Sequence, residues 1–359
     1  MVPLTWGIRI GVRVFQPKPN VSLMQMSLTK RQRLPSINSP MTTQKLRVSI
    51  IGAGRMGTAL GIALRAAGHR VQIVVTRRPA RARRAADAIG GQTLGLSVQQ
   101  LGRLNQAQFD RLNNSSLILI ATPDDVIEAA ARRLAGIFKS NPGGLGKGRR
   151  GQRVALHTSG AISSEALKAL QIFGFSTGSL HPLVSISDSS AGARSLTEAF
   201  FALEGEPPAV RVARSMVRSF GGESFLINSS HKSLYHAAAV MASPHAVALL
   251  DIALEMLGRC GISPGRAQKV LLPLMKSTVE NLTTQNPARA LTGTFLRGDV
   301  ATVRRHLSAI KPEKLDEALK AYVLLGQRSL SLAQRRNSDR DRLKQIAGIL
   351  ATALKNTNR

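Results

Sequence analysis

Cysteine is almost missing from this chain. The single Cys260 excludes an intramolecular disulfide and a four-cysteine zinc site, and fits a reducing, cytoplasmic setting. Acidic residues are also scarce, 20 Asp and Glu against 50 Lys and Arg, which leaves a formal charge of +30. Aromatics are few (Phe 10, Tyr 2, Trp 1) and do not interleave with basic runs, so no base-stacking platform is expected. No apolar run reaches the about 18–20 residues needed to cross a bilayer, which is read as ruling out a transmembrane protein. What the chain does have is material for a core: 43% hydrophobic and only 19% charged residues exclude wholesale disorder. Its 359 residues, at about 100–200 per domain, suggest two or three domains.

The positive charge is spread along the chain. Residues 1–45 carry seven basic side chains and no acid, residues 46–156 carry 18 against 5, and the remainder 25 against 15. A diffuse basic surface attracts anionic substrates and cofactors through screened long-range forces. Nucleic acid enters this reading only through non-specific charge. Residues 1–45 also lack a sustained period of 2 or 3.6, so they are expected to be a disordered basic extension. A transit-type segment and translation upstream of the natural start, with Met41 as initiator, are the other readings.

Leu46–Ile51 is a mostly apolar run of strand length, Gly52-Ala53-Gly54-Arg55-Met56-Gly57 follows at once, Thr58–Ala67 reads as a helix, and Val71–Val75 as a second strand. A GxGxxG between a strand and a helix, inside a βαβ unit, is a specific signal for dinucleotide binding, so residues 46–228 are expected to form a Rossmann dinucleotide-binding domain. Gly52 permits the tight turn, Gly54 lets backbone approach a pyrophosphate, and Gly57 allows close helix–strand packing. The free N–H groups at the start of the helix, around Arg55 and Met56, then hold the phosphates.

The second strand ends in Thr76-Arg77-Arg78, where NAD-binding proteins carry the acid that takes the ribose 2′-hydroxyl. Guanidinium groups bond phosphate in charge-assisted pairs, so these residues point to NADP. A further strand, Ser116–Ala121, runs into Thr122-Pro123. Ala121, Thr122 and Pro123 are expected beside the cofactor, because ligands of such sheets lie beyond the carboxyl ends of the strands. Asp124 and Asp125 are expected to cap the next helix. Residues 141–152 read as a flexible basic loop that lacks the Ser or Thr after Lys147 needed for a P-loop.

Candidate chemistry lies in three histidine neighbourhoods. Val154–Leu156 leads into His157-Thr158-Ser159-Gly160, where Ser159 is placed to bond a substrate oxygen. A short strand ends in Leu180-His181-Pro182-Leu183. A helix from about Ser230 carries Lys232, Tyr235 and His236, with Lys232 and His236 four apart on one face. Hydride transfer to a carbonyl or imine needs a proton donor, and imidazole titrates in the useful range. His236 is the first choice for that role, with His181 or Lys232 after it. No metal is expected, since the spacings match no common ligand motif. From residue 229 to 356 the pattern is helical: one long apolar helix kinked at Pro244, then helices at Ala267–Leu282, 300–310 and 313–335. An all-α domain in this position commonly walls a substrate cleft and forms a homodimer interface. Asp299 is read as a helix cap.

His157-Thr158-Ser159-Gly160, Leu180-His181-Pro182-Leu183, Tyr235-His236-Ala237-Ala238-Ala239-Val240 and Ala290-Leu291-Thr292-Gly293, completed by Arg297-Gly298-Asp299, follow the glycine loop in one order. Together these segments resemble the bacterial family in which a Rossmann-like domain is joined to domain of unknown function (DUF) 2520, over about residues 46–330. That resemblance implies an α/β fold with a Rossmann NADP-binding domain followed by an all-α, 6-phosphogluconate dehydrogenase-like domain, and oxidoreductase activity on a small C=O or C=N substrate. Pro244 stands where the family usually has Asn, which keeps open a non-catalytic NADP-binding sensor or scaffold, and a basic polyanion-binding protein is the third reading.

Overall fold

The structure, a computed structural model, describes residues 45–141, 153–336 and 338–355. The acid-free extension and nearly all of the basic loop after Asn141 therefore lie outside the described residues.

Eight strands form one sheet: β1 (Arg47–Ile51), β2 (Arg70–Thr76), β3 (Leu94–Ser97), β4 (Leu117–Ile120), β5 (Arg153–His157), β6 (Phe175–Pro182), β7 (Phe200–Gly205) and β8 (Glu223–Leu226). Their order is β3-β2-β1-β4-β5-β6-β7-β8. All neighbours are parallel except β6 and β7. The chain order reverses between β1 and β4, and the crevice at such a switch point is where ligands of open α/β sheets bind.

Helices α1 (Arg55–Ala66), α2 (Pro79–Ile89), α3 (Val98–Leu101), α4 (Gln106–Asn113), α5 (Asp124–Lys139), α6 (Ser189–Ser195) and α7 (Pro207–Ser219) connect and cover the strands. Alternation along the strands divides the core between the two faces. Val48, Ile50, Leu117 and Leu119 pack with Leu60, Leu64 and Met216 on one side. Ile51, Ile118 and Ile120 pack with Ile127, Leu134 and Phe138 on the other. Both faces are apolar, which is why the central strands read as continuous hydrophobic runs.

Beyond β8 the described chain is helical: α8 (Lys232–Ala242), α9 (Pro244–Arg259), α10 (Pro264–Thr284), α11 (Pro287–Ala290), α12 (Val300–Ile310), α13 (Asp316–Gln334) and α14 (Arg340–Lys355). A third core joins α12, α13 and α14 through Val303, Leu307, Val323, Leu330, Ile346 and Leu350. Asp299 caps α12, accepting from the Thr302 backbone N–H at 3.0 Å.

Three expectations are corrected here. The long apolar helix is two helices, because Pro244 has no N–H for the preceding turn and instead starts α9 in the position that suits proline best. Asp124 and Asp125 occupy the first turn of α5 while Pro123 holds the cap position, so neither is the cap. The statement about apolar runs also fails. Ser229–Arg259, whose most apolar 18-residue stretch has mean hydropathy 1.6, is long and apolar enough to cross a membrane by length and composition alone. Alanine and leucine keep the average high although polar residues interrupt the run. No residue of α9 is buried in the described structure.

Candidate active site

The carboxyl ends of β1, β2 and β4 converge on the glycine turn. The N–H groups of Gly52 and Ala53 both donate to Val75 O, at 2.8 and 3.0 Å, so the end of β2 pins the turn. Gly52 has φ +97°, and a Cβ there would sit 2.7 Å from the backbone of Ala121 and Thr122. A Cβ at Gly57 would lie 2.5 Å from Gly52 O, which fixes how closely α1 can dock. At Gly54, by contrast, nothing lies within 4 Å of that position, so this side of the turn is open. No side chain caps α1, which leaves the backbone donors at Arg55 and Met56 to an anion.

A cavity of about 810 Å³ opens over this turn, within the range of about 300–1,000 Å³ usual for ligand sites. Gly52, Ala53, Gly54, Thr76, Arg77, Arg78, Ala121, Thr122 and Pro123 line it, which brings together nearly all of the residues expected at a cofactor. Thr76 Oγ1 donates to Arg78 O at 2.8 Å and shapes the turn that presents the two arginines. Arg81 and Arg133 also line the cavity and were not anticipated as site residues. Arg133 belongs to α5, where Nη2 donates to Val98 O at 3.0 Å, and only tertiary packing brings it to the end of β2. Thr122 Oγ1 is buried with no hydrogen-bond partner among the described residues. A group left so costs about 1–3 kcal/mol, and its place in the cavity wall marks it for a ligand. The open face at Gly54, the orphan hydroxyl and the four arginines all suit a dinucleotide bearing an additional phosphate.

One strand further along, beyond the cavity wall, lies the histidine cluster. Ser159 links the two regions, donating from Oγ to Asp124 Oδ2 at 2.8 Å. The same oxygen accepts from Ala161 N and Ile162 N at 3.1 and 3.0 Å. Its one proton and both lone pairs are committed, so Ser159 fastens the turn and has no donor left for a substrate oxygen, against expectation. His157 is fully buried, with Nδ1 accepting from Ser159 N and Nε2 donating to Ser163 O at 3.0 Å. Burial pushes it down to about 4, and its role is structural.

Lys232 is also withdrawn from solvent. Its Nζ donates to Ser179 Oγ at 2.7 Å and Ser159 O at 3.3 Å, and stands 3.9 Å from Glu204 Oε2. Glu204, on β7, accepts from Ser164 N, Ser164 Oγ and Ser179 Oγ. This network ties the start of α8 to the sheet, so Lys232 acts as a post beneath the Ser159 turn and does not point a free ammonium at a substrate. Glu204 was missed from the sequence, although one acid in the strand Phe200–Gly205 was a usable signal.

His181 and His236 are the imidazoles that remain half-exposed here. Their ring centroids are 5.5 Å apart and nearly perpendicular. His181 Nδ1 meets the Tyr235 hydroxyl at 2.8 Å. Gly160 lies directly beneath both rings: a Cβ there would be 2.6 Å from His236 Cδ2 and 2.9 Å from His181 Cε1. Burial, then the neighbouring charges of His236 and Lys232, lower His181 to about 4. Burial raises Tyr235 to about 12.

The strand order, the glycine turn at the switch point and the cavity over it define a Rossmann-type α/β protein with a helical C-terminal region. A Rossmann-like domain model matches residues 32–182, and a model described as a domain of unknown function (DUF2520) matches residues 199–329. The chain therefore carries a Rossmann-like domain followed by a DUF2520 domain, in the order that its sequence segments resemble. Among solved structures it is similar to a Thermotoga maritima protein, 22% identical with a TM-score of 0.59, covering 80% of this chain and 99% of that one. It is likewise similar to a candidate NADP oxidoreductase from Bacteroides fragilis, 19% identical with a TM-score of 0.57, covering 81% of this chain and all of the other. At these identities the likeness is one of fold. No curated protein sequence matches the chain.

Proposed function

We propose that the protein is an NADP-dependent oxidoreductase that moves a hydride between NADP(H) and a small C=O or C=N substrate. The observation that carries this reading is the arginine-lined end of the cavity, where Arg77, Arg78, Arg81 and Arg133 gather and β2 ends without the acid of NAD-binding sites. Arg77 and Arg78 would hold the 2′-phosphate, the start of α1 the pyrophosphate, and Thr122 Oγ1 a further polar group of the same ligand. When bound, NADP(H) gives or takes the hydride. The protein's part on the substrate side falls to His181 and His236 above Gly160, with His236 placed to move the proton. The loss of Ser159 and Lys232 as free donors favours one second reading, a binding protein without turnover. In that case NADPH binds but His236→Ala changes no reaction.

Calorimetric titration with NADPH and NADH tests the main reading. NADPH should bind in the micromolar range and NADH poorly. Arg77→Ala/Arg78→Ala should weaken NADPH by about 10²-fold, as expected when two charge-assisted contacts of roughly 1.5 kcal/mol are lost. Equal binding of both nucleotides, or none by folded protein, would refute it.

The partner reading is a second copy of this chain. α8 to α10 expose large apolar side chains, among them Leu234 (74%), Val247 (69%) and Leu274 (65%), and so many on neighbouring helices favour an interface. Asp251, Glu255 and Arg259 follow in α9, which a bilayer interior would have to bury but a protein partner can pair. Sedimentation should give a dimer that Leu234→Glu/Val247→Glu converts to monomer; a wild-type monomer would refute this.

A further inference from the structure

We propose that Tyr235 fixes His181 as the neutral tautomer with its proton on Nε2, and that this N–H is the hydrogen-bond donor for a substrate carbonyl oxygen. The inference rests on the oxidoreductase reading for its role, but the tautomer stands on geometry alone. Tyr235 OH has one hydrogen-bond partner among the described residues, His181 Nδ1 at 2.8 Å. Phenol donates well and accepts poorly, and a half-buried hydroxyl that accepted from Nδ1–H would leave its own proton without an acceptor. Tyr235 therefore donates, Nδ1 accepts, and the ring proton sits on Nε2. That nitrogen has no protein partner among the described residues.

The surroundings hold the pair in place. His181 and Tyr235 pack edge to face with centroids 5.6 Å apart, and Tyr235 packs in turn on Phe225 at 6.0 Å. His181 stands at the carboxyl end of β6 on the rigid sheet, paired in register with Ala202 of β7. Gly160 backs the ring faces, where any side chain would push both imidazoles out of position. The lowered basicity of His181 and the raised pKa of Tyr235 agree with a neutral ring and an intact O–H over the whole ordinary pH range.

This tautomer decides between substrate classes. A neutral N–H can donate to a carbonyl oxygen, and the bond strengthens as that oxygen gains charge. It offers nothing to an iminium nitrogen, whose own N–H also donates and which carries no lone pair. The site is thus built for C=O reduction and, in reverse, alcohol oxidation. In the reduction the carbonyl carbon would gain a hydride that bound NADPH supplies, the cofactor being oxidised to NADP+. The π pair moves to oxygen, which accepts the His181 Nε2–H bond and takes its proton from His236. His181 keeps its own proton throughout, because giving it up would form an imidazolate.

Nitrogen-15 spectra of the histidine side chains in the full chain test this without any cofactor. At neutral pH His181 should show a protonated Nε2 and a bare Nδ1. Tyr235→Phe, which keeps both ring contacts, should return the ring to a mixture of tautomers, whereas His236→Gln should leave the pattern unchanged. Titrated glyoxylate, the smallest oxo-acid probe, should shift Nε2 in the wild type and bind about three- to tenfold more weakly to Tyr235→Phe, and guanidinium should shift nothing. A proton on Nδ1, an unchanged pattern in Tyr235→Phe, a changed one in His236→Gln, or a response to guanidinium in place of glyoxylate would overturn the proposal. Failure of NADPH to bind would instead overturn the oxidoreductase reading and leave the tautomer standing.

Discussion

Lys232→Met separates a structural post from a substrate contact. The substitution keeps most of the aliphatic volume, so it opens little cavity, but it removes the ammonium that bonds Ser179 Oγ at 2.7 Å and Ser159 O at 3.3 Å. Losing a hydrogen bond to a charged donor costs about 1.5–3 kcal/mol. Breaking a buried ion pair outright costs about 3–5 kcal/mol, because the partner keeps its charge in a poor solvent. Here the separation is 3.9 Å and Glu204 retains three donors, from Ser164 and Ser179. The expected loss is therefore about 2–3 kcal/mol. Glu204→Gln in the Lys232→Met background should recover about 1 kcal/mol by removing the stranded charge. Urea unfolding of the wild type, both single variants and the double variant, followed by far-ultraviolet circular dichroism, gives the cycle. A Lys232→Met protein within about 0.5 kcal/mol of wild type, or strictly additive effects, would refute the account. An unchanged stability with lost NADPH binding would mean that Lys232 meets the ligand.

The fold should also lose stability in mild acid. His157 is held at about 4 by burial, so between about 6.5 and 4 the unfolded chain takes up a proton that the folded chain refuses, and stability falls as pH falls through that window. The full effect is on the order of 3 kcal/mol for this residue, and His157→Asn should flatten the slope of unfolding free energy against pH; an unchanged slope would exclude His157 as its source. Gly160→Ala should keep NADPH affinity but displace His236 and His181, since its Cβ would stand 2.6 Å from His236 Cδ2. Turnover should drop by at least about tenfold, the equivalent of 1.4 kcal/mol in the barrier. A fully active Gly160→Ala protein would remove the histidine pair from the chemistry.

Several features were legible in the sequence because their causes are local. The glycine turn announces itself through residue types that few other conformations need, and the apolar runs Leu117–Ile120 and Val71–Val75 are central strands because both faces of the sheet are covered. Proline at the first position of α2, α7, α9, α10 and α11 marks helix starts that can be read residue by residue. Thr76-Arg77-Arg78 follows the same logic, since the distance from the glycines to the end of the second strand is set by the βαβ unit itself. The membrane-length character of Ser229–Arg259 was available too, but only to an average over an 18-residue stretch within it and not to a search for apolar runs.

What the tertiary structure alone decided is which side chains are free to act. Ser159, Lys232 and His181 look equally available in the sequence, each a polar residue at a strand or helix end. Their fates depend on partners 35, 73 and 54 residues away. Asp124 uses up the Ser159 hydroxyl, Ser159 O and Ser179 take the Lys232 ammonium, and Tyr235 claims one nitrogen of His181 while leaving the other. A hydroxyl has one proton to give and a ring nitrogen one bond to make, so the residues that can still do chemistry are known only once the fold has spent the rest.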